Sequence, residues 1–257
     1  FASPVLSDRA AVFEAASDSK SIENDCSFVN LYLLREKYGV EIAFSDSMLL
    51  RRYQYGFRKD TYGFPLGSGA LRTAIRLLYE DAAARNLPLR ITMLNQTQCD
   101  WLANSYPDCF TFTHAKDYTE YLYLQENLAT LRGSRYHGKR NHIAQFWRAC
   151  PDAYIQPLIP ENAAFALEIA DKWLSARSDP NDASLQYERN CIAEAAANVE
   201  ALGISGLLLY ADGQPIGMTM VSEISEGIFD VHFEKVIPDY PHAWPVVANE
   251  MAKTLQT

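Results

Sequence analysis

The sequence lacks the patterns that assign a chain to several large classes of protein. It has no P-loop and no GxGxxG fingerprint, so kinase and dinucleotide-dependent dehydrogenase functions have no support. No apolar run approaches the roughly 18 residues that span a bilayer, and no signal peptide is evident. The five cysteines are widely spaced and form no CxxC pair, which favours reduced thiols in a cytoplasmic protein over a zinc site.

The composition is that of a globular protein with a real core. The 257 residues are 48% hydrophobic and 21% charged, enough for one large domain or two ordinary ones. The formal net charge is -9, which argues against broad nucleic-acid binding and against DNA as a partner. A local contact to RNA or to a CoA-type phosphate stays open.

One segment, residues 127–151, reverses the sign of the chain and contains no Asp or Glu. Ile143, Phe146 and Trp147 follow the i, i+3, i+4 spacing of a buried helix stripe, so the segment is ordered. The segment is therefore either a docking surface for phosphate-rich ligands or a solvated basic face. Its basic residues are Arg132, Arg135, His137, Lys139, Arg140, His142 and Arg148.

The order of predicted elements indicates an α/β fold with two similar halves. Each half contains two helices, a hairpin, a strand, a loop and a helix, which internal duplication explains most simply. The strongest local signals are the hairpin turn Asp212-Gly213 and the alternating strand 228–236. The predicted domains are residues 1–152, which include the basic helix, and residues 153–257. The element order is similar to that of the GNAT acyltransferase fold.

A longer resemblance rests on specific residues. The segment Tyr136-His137-Gly138-Lys139-Arg140-Asn141-His142-Ile143 resembles the Tyr-His-x-Lys-Arg-Asn-His-Ile signature of an uncharacterised bacterial family. That family is related to the C-terminal catalytic domain of phosphatidylglycerol lysyltransferase. Further matches are Phe28-Val29-Asn30-Leu31-Tyr32, Asp117-Tyr118, Tyr121-Leu122-Tyr123, Asn127-Leu128-Ala129 and Val231-His232-Phe233-Glu234-Lys235.

The resemblance implies tandem GNAT-like domains, similar to the Fem-type aminoacyltransferases, each with a mixed, mostly antiparallel sheet flanked by helices. Relatives of known activity move an aminoacyl group from a charged tRNA to a lipid headgroup or a cell-wall precursor. Relatives also continue past the last helix with strands that complete the second sheet. The second half is therefore expected to be truncated at Thr257, which would affect activity.

The strand 228–236 carries the candidate catalytic residues. Asp230, His232 and Glu234 share one face by alternation, and either Glu234 or His232 could serve as a general base. We interpret this face as the lining of an acceptor pocket on a central strand; the alternative is the solvated face of an edge strand. Lys235 points to the other face or ends the strand, where it meets phosphate or forms a salt bridge.

Two loops are candidate phosphate sites. The segment Tyr240–Pro245 occupies the place of the GNAT phosphate loop, but it has no glycine and two prolines, so few backbone amides remain to wrap a pyrophosphate. This weakens an acetyl-CoA donor and leaves an aminoacyl-tRNA donor or lost donor binding. Gly67-Ser68-Gly69 precedes a helix and is either an anion site or an ordinary turn.

The remaining candidate site residues are considered as metal ligands, phosphate ligands or acceptor contacts. No metal site is predicted, because His137 and His142 are five residues apart, a poor fit to two ligands on one helix face. Tyr121 and Tyr123 share a strand face that lines a cleft or packs in the core. Lys139, Arg140, His142 and Lys235 are predicted to hold donor or acceptor phosphate, and His137, Asn141, Tyr121, Tyr123 and Asp230 to contact the acceptor.

These observations favour an enzyme that transfers an acyl or aminoacyl group to an amine or hydroxyl. No cofactor is firmly implied; acyl-CoA and aminoacyl-tRNA are the candidate donors. The expected partners are a small-molecule or lipid-headgroup acceptor and, for an aminoacyl donor, tRNA. The alternative is a non-catalytic, degenerate GNAT protein that binds a nucleotide, a lipid headgroup or RNA.

Overall fold

The computed structural model describes residues 1–114 and 119–255 and divides into two compact units. The first comprises Phe1–Tyr121 with Ile224–Ile228, and the second comprises Leu122–Glu223 with Phe229–Thr257. The basic helix, grouped with the N-terminal domain by the sequence, belongs to the second unit. The domain boundary at residue 152 stays a prediction. The motif residues Asp117 and Tyr118 lie outside the described residues.

The first unit contains a small mixed sheet and five helices among its described residues. The elements are α1 (Arg9–Asp18), α2 (Phe28–Leu33), α3 (Arg35–Tyr38), β1 (Glu41–Ser45), β2 (Met48–Tyr53), β3 (Thr61–Gly63), β4 (Leu66–Gly67), α4 (Leu71–Ala84), β5 (Ile91–Thr92) and α5 (Gln96–Ser105). The strand order is β1-β2-β3-β5, with β4 beside β2. Only the β3–β5 pair is parallel among the pairs described here.

The core of this unit lies between α4 and the sheet. Ala74, Ile75, Leu78 and Ala82 are buried on one face of α4, the spacing that an amphipathic helix requires. They belong to one buried cluster with Tyr62 and other residues of the sheet. The helix that the sequence predicts after Gly67-Ser68-Gly69 is therefore confirmed.

The Gly67-Ser68-Gly69 segment packs against the turn between β1 and β2. A Cβ atom at Gly67 would lie 2.0 Å from the carbonyl oxygen of Ser47, and one at Gly69 would lie 1.9 Å from that of Asp46. The amide of Gly67 donates to the Ser19 hydroxyl at 2.7 Å. The glycines therefore allow two backbone segments to touch, which favours the turn interpretation over an anion site.

The second unit is built on a four-stranded sheet. Its elements are α6 (Gln125–Thr130), α7 (His137–Ala149), β6 (Tyr154–Pro157), α8 (Ala164–Ser175), α9 (Ala183–Ala197), α10 (Val199–Leu202), β7 (Ser205–Ala211), β8 (Gln214–Ser225), β9 (Ile228–Val236) and α11 (Ala243–Thr254). The tip of the β8–β9 hairpin, Ile224–Ile228, counts with the first unit. The β6–β7 and β7–β8 pairs are antiparallel. The predicted class, α/β with mostly antiparallel sheets flanked by helices, is confirmed.

The strand β9 ends the sheet order β6-β7-β8-β9. The expectation of a central strand is therefore wrong for the part of the chain that the structure describes. The hairpin prediction is confirmed: Asp212 and Gly213 join β7 to β8 with φ of 50° and 72°. Positive φ at both positions is the geometry of a type I′ turn, which matches the twist of the two strands.

The short helix α6 anchors two longer helices. The Asn249 side chain of α11 is buried, and its Nδ2 donates to the carbonyls of Leu128 at 2.6 Å and Ala129 at 2.9 Å. The Arg140 guanidinium of α7 donates to the carbonyl of Leu131, which follows α6. Both contacts satisfy carbonyls at the C-terminal end of a helix, which has no N–H donors for them within itself. None of the described helices has the length and apolar composition that a bilayer crossing requires.

Candidate active site

Polar side chains of β9 are less exposed to solvent than two of its apolar side chains. The apolar residues Phe229 and Val231 are 39% and 52% exposed, whereas the side chains of Asp230 and His232 are only 16% and 1% exposed. An edge strand with a solvated polar face would show the opposite distribution. The polar face of β9 therefore lies inside the fold, where desolvation acts on its ionisable groups.

His232 is held at both ring nitrogens. Its Nε2 lies 2.7 Å from the Ser222 hydroxyl on β8, and its Nδ1 lies 3.3 Å from a carboxylate oxygen of Asp230. Burial lowers the pKa of His232 from 6.5 to about 3, so the imidazole is neutral at physiological pH. The carboxylate favours the proton on Nδ1, which leaves Nε2 to accept the hydroxyl proton of Ser222.

Glu234, on the same face of β9, has a pKa close to neutral pH. Burial raises the pKa of its carboxyl from 4.5 to about 7, and the Lys139 ammonium on α7 partly opposes that shift. A carboxyl with this pKa is about half ionised at pH 7. Its carboxylate form can therefore accept a proton near neutral pH.

The side chain of Lys139 reaches this region because of the pattern along α7. Lys139, His142 and Phe146 stand at i, i+3 and i+7 and share one face of the helix. Phe146 is 1% exposed and fixes that face against the fold. Lys139 is half-buried, and His142, nearer the surface, is exposed. The basic face is therefore neither fully solvated nor fully buried.

The start of α11 completes the cluster. His242 precedes the helix with φ of 70°, a left-handed conformation that is uncommon for a residue other than glycine. Its ring centroid lies 4.5 Å from that of His142. The ring of Trp244 lies 5.6 Å from Nζ of Lys139. The sequence predicts Tyr240–Pro245 only as a loop without glycine, and His242 is not among the predicted site residues.

Two of the predicted phosphate ligands are directed elsewhere. Both carboxylate oxygens of Glu188 lie 2.9 Å from Nζ of Lys235, and the ring of Trp173 lies 3.9 Å from the same atom. These partners belong to α8 and α9, so Lys235 faces away from Glu234, as its position in the strand predicts. The Arg140 guanidinium donates hydrogen bonds to the carbonyls of Leu131 and Gly133.

The predicted acceptor contacts are dispersed. Nε2 of His137 and Nδ2 of Asn141 are 3.1 Å apart on the exposed side of α7. Tyr121 and Tyr123 are 88% and 56% exposed and lie in a segment without regular structure, so the strand predicted for them is absent from residues 119–124. Asp230 alone among these residues lies on the polar face of β9, and the acceptor roles of the others stay predictions.

A metal centre has no basis in the described ranges, where no group of three His, Cys, Asp or Glu side chains is placed to hold an ion. What residues 1–114 and 119–255 do bring together is one carboxyl, one ammonium, two imidazoles and an indole. We refer to Lys139, His142, Glu234, His242 and Trp244 as the β9–α7 cluster. Of these groups, the Glu234 carboxyl can exchange a proton near neutral pH.

Two bacterial proteins are among the solved structures that are similar to this chain. A conserved protein of unknown function from Bacteroides thetaiotaomicron VPI-5482 matches at TM-score 0.93 and 29% identity, over 99% of this chain and 86% of that one. The C-terminal domain of a putative lysylphosphatidylglycerol synthetase from Agrobacterium fabrum matches at TM-score 0.58 and 11% identity, over 96% and 74%. At that identity, the second likeness shows the fold alone.

No functionally curated protein matches the sequence of this chain. The sequence profile of one family, described as phosphatidylglycerol lysyltransferase, C-terminal, matches residues 18–256. That range contains every member of the β9–α7 cluster and nearly all of both units. The chain therefore belongs to the family of phosphatidylglycerol lysyltransferase C-terminal domains.

Proposed function

We propose that this protein transfers an aminoacyl or acyl group from an activated ester to an amine or hydroxyl, with Glu234 as the general base. Membership of the family supports aminoacyl transfer in general. The name of the Agrobacterium neighbour contains lysylphosphatidylglycerol, which suggests a lipid headgroup as acceptor. An aminoacyl-tRNA is the donor that fits both this chemistry and the loop without glycine.

The observation that carries the proposal is the largely desolvated carboxyl of the half-buried Glu234 on the inward polar face of β9. Burial raises its pKa to about 7, which places it where a general base is most effective at neutral pH. His232 is the weaker candidate, because its lowered pKa of about 3 makes the imidazole a poor proton acceptor. We assign His232 a positioning role through Ser222 and Asp230.

The proposed reaction is direct attack on the ester. As the nucleophile of the acceptor forms a bond to the ester carbonyl carbon, its proton passes to the Glu234 carboxylate. The carbon–oxygen bond to the leaving alcohol then breaks, and Glu234 returns the proton to that oxygen. The Lys139 ammonium stabilises the carboxylate form of Glu234 by Coulomb attraction. The protein contributes mainly positioning and electrostatic stabilisation.

Other parts of the sequence-based interpretation remain proposals. A tandem GNAT arrangement accords with two compact units that each hold a sheet and helices. The cytoplasmic location rests on the odd number of widely spaced cysteines.

The test is a transfer assay with the purified chain. Transfer RNAs charged with labelled amino acids are offered together with phosphatidylglycerol vesicles, and label that enters the organic phase is counted. The Glu234→Gln variant keeps the size of the side chain and removes its basicity. We expect transfer to fall by about 10²–10⁴-fold in that variant.

The matched control is Glu226→Gln, which removes an exposed carboxyl from the turn between β8 and β9. Its rate should equal that of the wild type. Full activity in Glu234→Gln would refute Glu234 as the base. A folded wild-type protein that transfers no label from any charged tRNA would refute lipid aminoacylation.

A further inference from the structure

The first unit contains a cavity that the proposed reaction does not use. It has a volume of about 250 Å³ and is lined by residues of α1, β2, β4, α4 and α5 and of the loops beside them. Three of its lining residues, Met48, Phe64 and Leu66, are buried, with 8% exposure at most. Two others, Ser19 and Thr97, are exposed. The cavity therefore reaches from solvent to buried apolar side chains of the unit.

The lining of this cavity carries no charged side chain among the residues that the structure describes. Its polar members are the uncharged residues Ser19, Asn95, Thr97 and Gln98, and the others are apolar residues and a glycine. A charged ligand would lose hydration on entry and would gain no ion pair in return, which is costly. The lining therefore favours a neutral, mainly apolar ligand.

Two aromatic rings and a thioether are part of the lining. The ring centroids of Phe64 and Trp101 are 5.9 Å apart, and the two planes are nearly perpendicular, at 86°. Contacts with such rings favour an aromatic ligand over an aliphatic one of the same size. A thioether sulfur, such as that of Met48, also makes favourable contacts with aromatic rings. The volume lies just below the roughly 300–1,000 Å³ of pockets for drug-sized ligands, which suits a compound with a single ring.

The capping of α5 leaves a hydrogen-bond donor on a residue that lines the cavity. The Asn95 side chain accepts from the amide of Gln98 at 2.9 Å, and Oε1 of Gln98 accepts from the amide of Asn95 at 3.1 Å. Because an oxygen must face that amide, the position of Nε2 of Gln98 is fixed, and Nε2 has no partner among the described residues. The Ser19 hydroxyl accepts from the amide of Gly67 at 2.7 Å, which leaves its own proton to donate. Both groups can donate to a carbonyl oxygen of a ligand.

We infer that this cavity of the first unit binds a neutral aromatic molecule with one ring and a carbonyl group. The ring packs against Trp101, Phe64 and Met48. The carbonyl oxygen accepts a hydrogen bond from Nε2 of Gln98 or from the Ser19 hydroxyl. The cavity shares no lining residue with the β9–α7 cluster, and the inference goes beyond the proposed transfer and does not depend on it.

The test is titration of the whole chain with four probes, followed by the NMR signals of the indole N–H groups. The chain has four tryptophans, and the Trp101 signal is the one that is absent from Trp101→Phe. Benzamide carries the ring and the carbonyl; benzoate adds a charge, cyclohexanecarboxamide lacks the aromatic ring, and toluene lacks the carbonyl. We expect benzamide to shift the Trp101 signal saturably, with a dissociation constant on the order of 1 mM for so small a ligand. The other three probes should bind about fivefold more weakly or worse.

The variant that tests the donor is Gln98→Glu. It removes Nε2 and adds a negative charge, but its carboxylate can still accept from the amide of Asn95, so the cap of α5 is kept. Binding of benzamide should weaken by about fivefold or more. The matched control is Gln96→Glu, which adds the same charge to the same turn of α5 at an exposed position outside the cavity. It should bind benzamide as the wild type does.

Three results would overturn the inference. They are the absence of a saturable shift with benzamide, binding of any other probe as tightly as benzamide, and an equal loss of affinity in Gln96→Glu and Gln98→Glu. Thermal unfolding must show that each variant is folded, and the four probes on the wild-type protein test the inference even if a variant is not. Glu234→Gln should bind benzamide as the wild type does, so the proposed reaction and this site can fail separately.

Discussion

The Ser222 hydroxyl on β8 lies 2.7 Å from Nε2 of His232 on β9. Both side chains are nearly inaccessible to solvent. The bond therefore joins two neighbouring strands in the interior. If the Ser222 hydroxyl were removed, water could not reach Nε2 of His232 to take its place.

Removal of that hydroxyl should destabilise the protein. Ser222→Ala leaves Nε2 of His232 without this bond, and we expect the free energy of unfolding to fall by about 1–3 kcal/mol. Urea denaturation followed by circular dichroism measures the change. The exposed Ser178→Ala is the control and should change it by less than about 0.5 kcal/mol. A similarly small effect in Ser222→Ala would show that the bond contributes little.

Acid should destabilise the protein through His232. Because its pKa is lowered from 6.5 to about 3 in the folded state, the unfolded chain binds more protons between these values. Stability is therefore lost as pH falls through this window. A His232→Asn variant should show a shallower decline in unfolding free energy from pH 6.5 downward. Parallel pH curves for the two proteins would contradict a buried, neutral imidazole.

Glu234 should act in the opposite direction. Its pKa is raised from 4.5 to about 7, so the folded state binds more protons between these values and stability falls as pH rises through them. Carboxyl ¹³C NMR should give a titration midpoint near 7 for Glu234. The midpoint should rise in Lys139→Met, because the ammonium that favours the charged form is gone. A midpoint at the ordinary value would rule out the burial effect.

A methyl group at Gly69 should be poorly tolerated. The added Cβ would meet the carbonyl oxygen of Asp46 at 1.9 Å, so Gly69→Ala must displace backbone, and we expect a loss of about 2–3 kcal/mol. Gly138→Ala is the control, because its Cβ meets nothing within 4 Å on helix α7; it should stabilise by up to about 1 kcal/mol. Thermal unfolding compares the two, and equal effects would contradict the steric account.

Local patterns in the sequence were sufficient for several parts of the site. The alternation of residues 228–236 predicted β9 with the bounds that the structure gives, and it placed Asp230, His232 and Glu234 on one face. The Asp212-Gly213 turn was predictable because two positive φ angles suit these residue types. These features depend on neighbours in the chain, which a sequence displays directly.

Other parts depend on residues far apart in the chain. Lys235 pairs with Glu188, 47 residues away, and its spacing alone left phosphate and a salt bridge open. His242 became part of the cluster through a left-handed backbone and the packing of α11 beside α7. The position of β9 at the end of the sheet is likewise a property of the whole unit.

The anchoring of α7 and α11 to the C-terminal end of α6 means that one short segment sets the geometry of the cluster. Lys139 and His142 belong to α7, which the hydrogen bond of Arg140 fixes to the end of α6. His242 and Trp244 lie at the start of α11, which the hydrogen bonds of Asn249 fix to the same place. A substitution that shifted residues 128–131 would move both helices at once, without touching any group that meets a substrate. A conservative substitution in α6 would therefore change the distance between the imidazoles of His142 and His242, although every residue of the cluster stays the same.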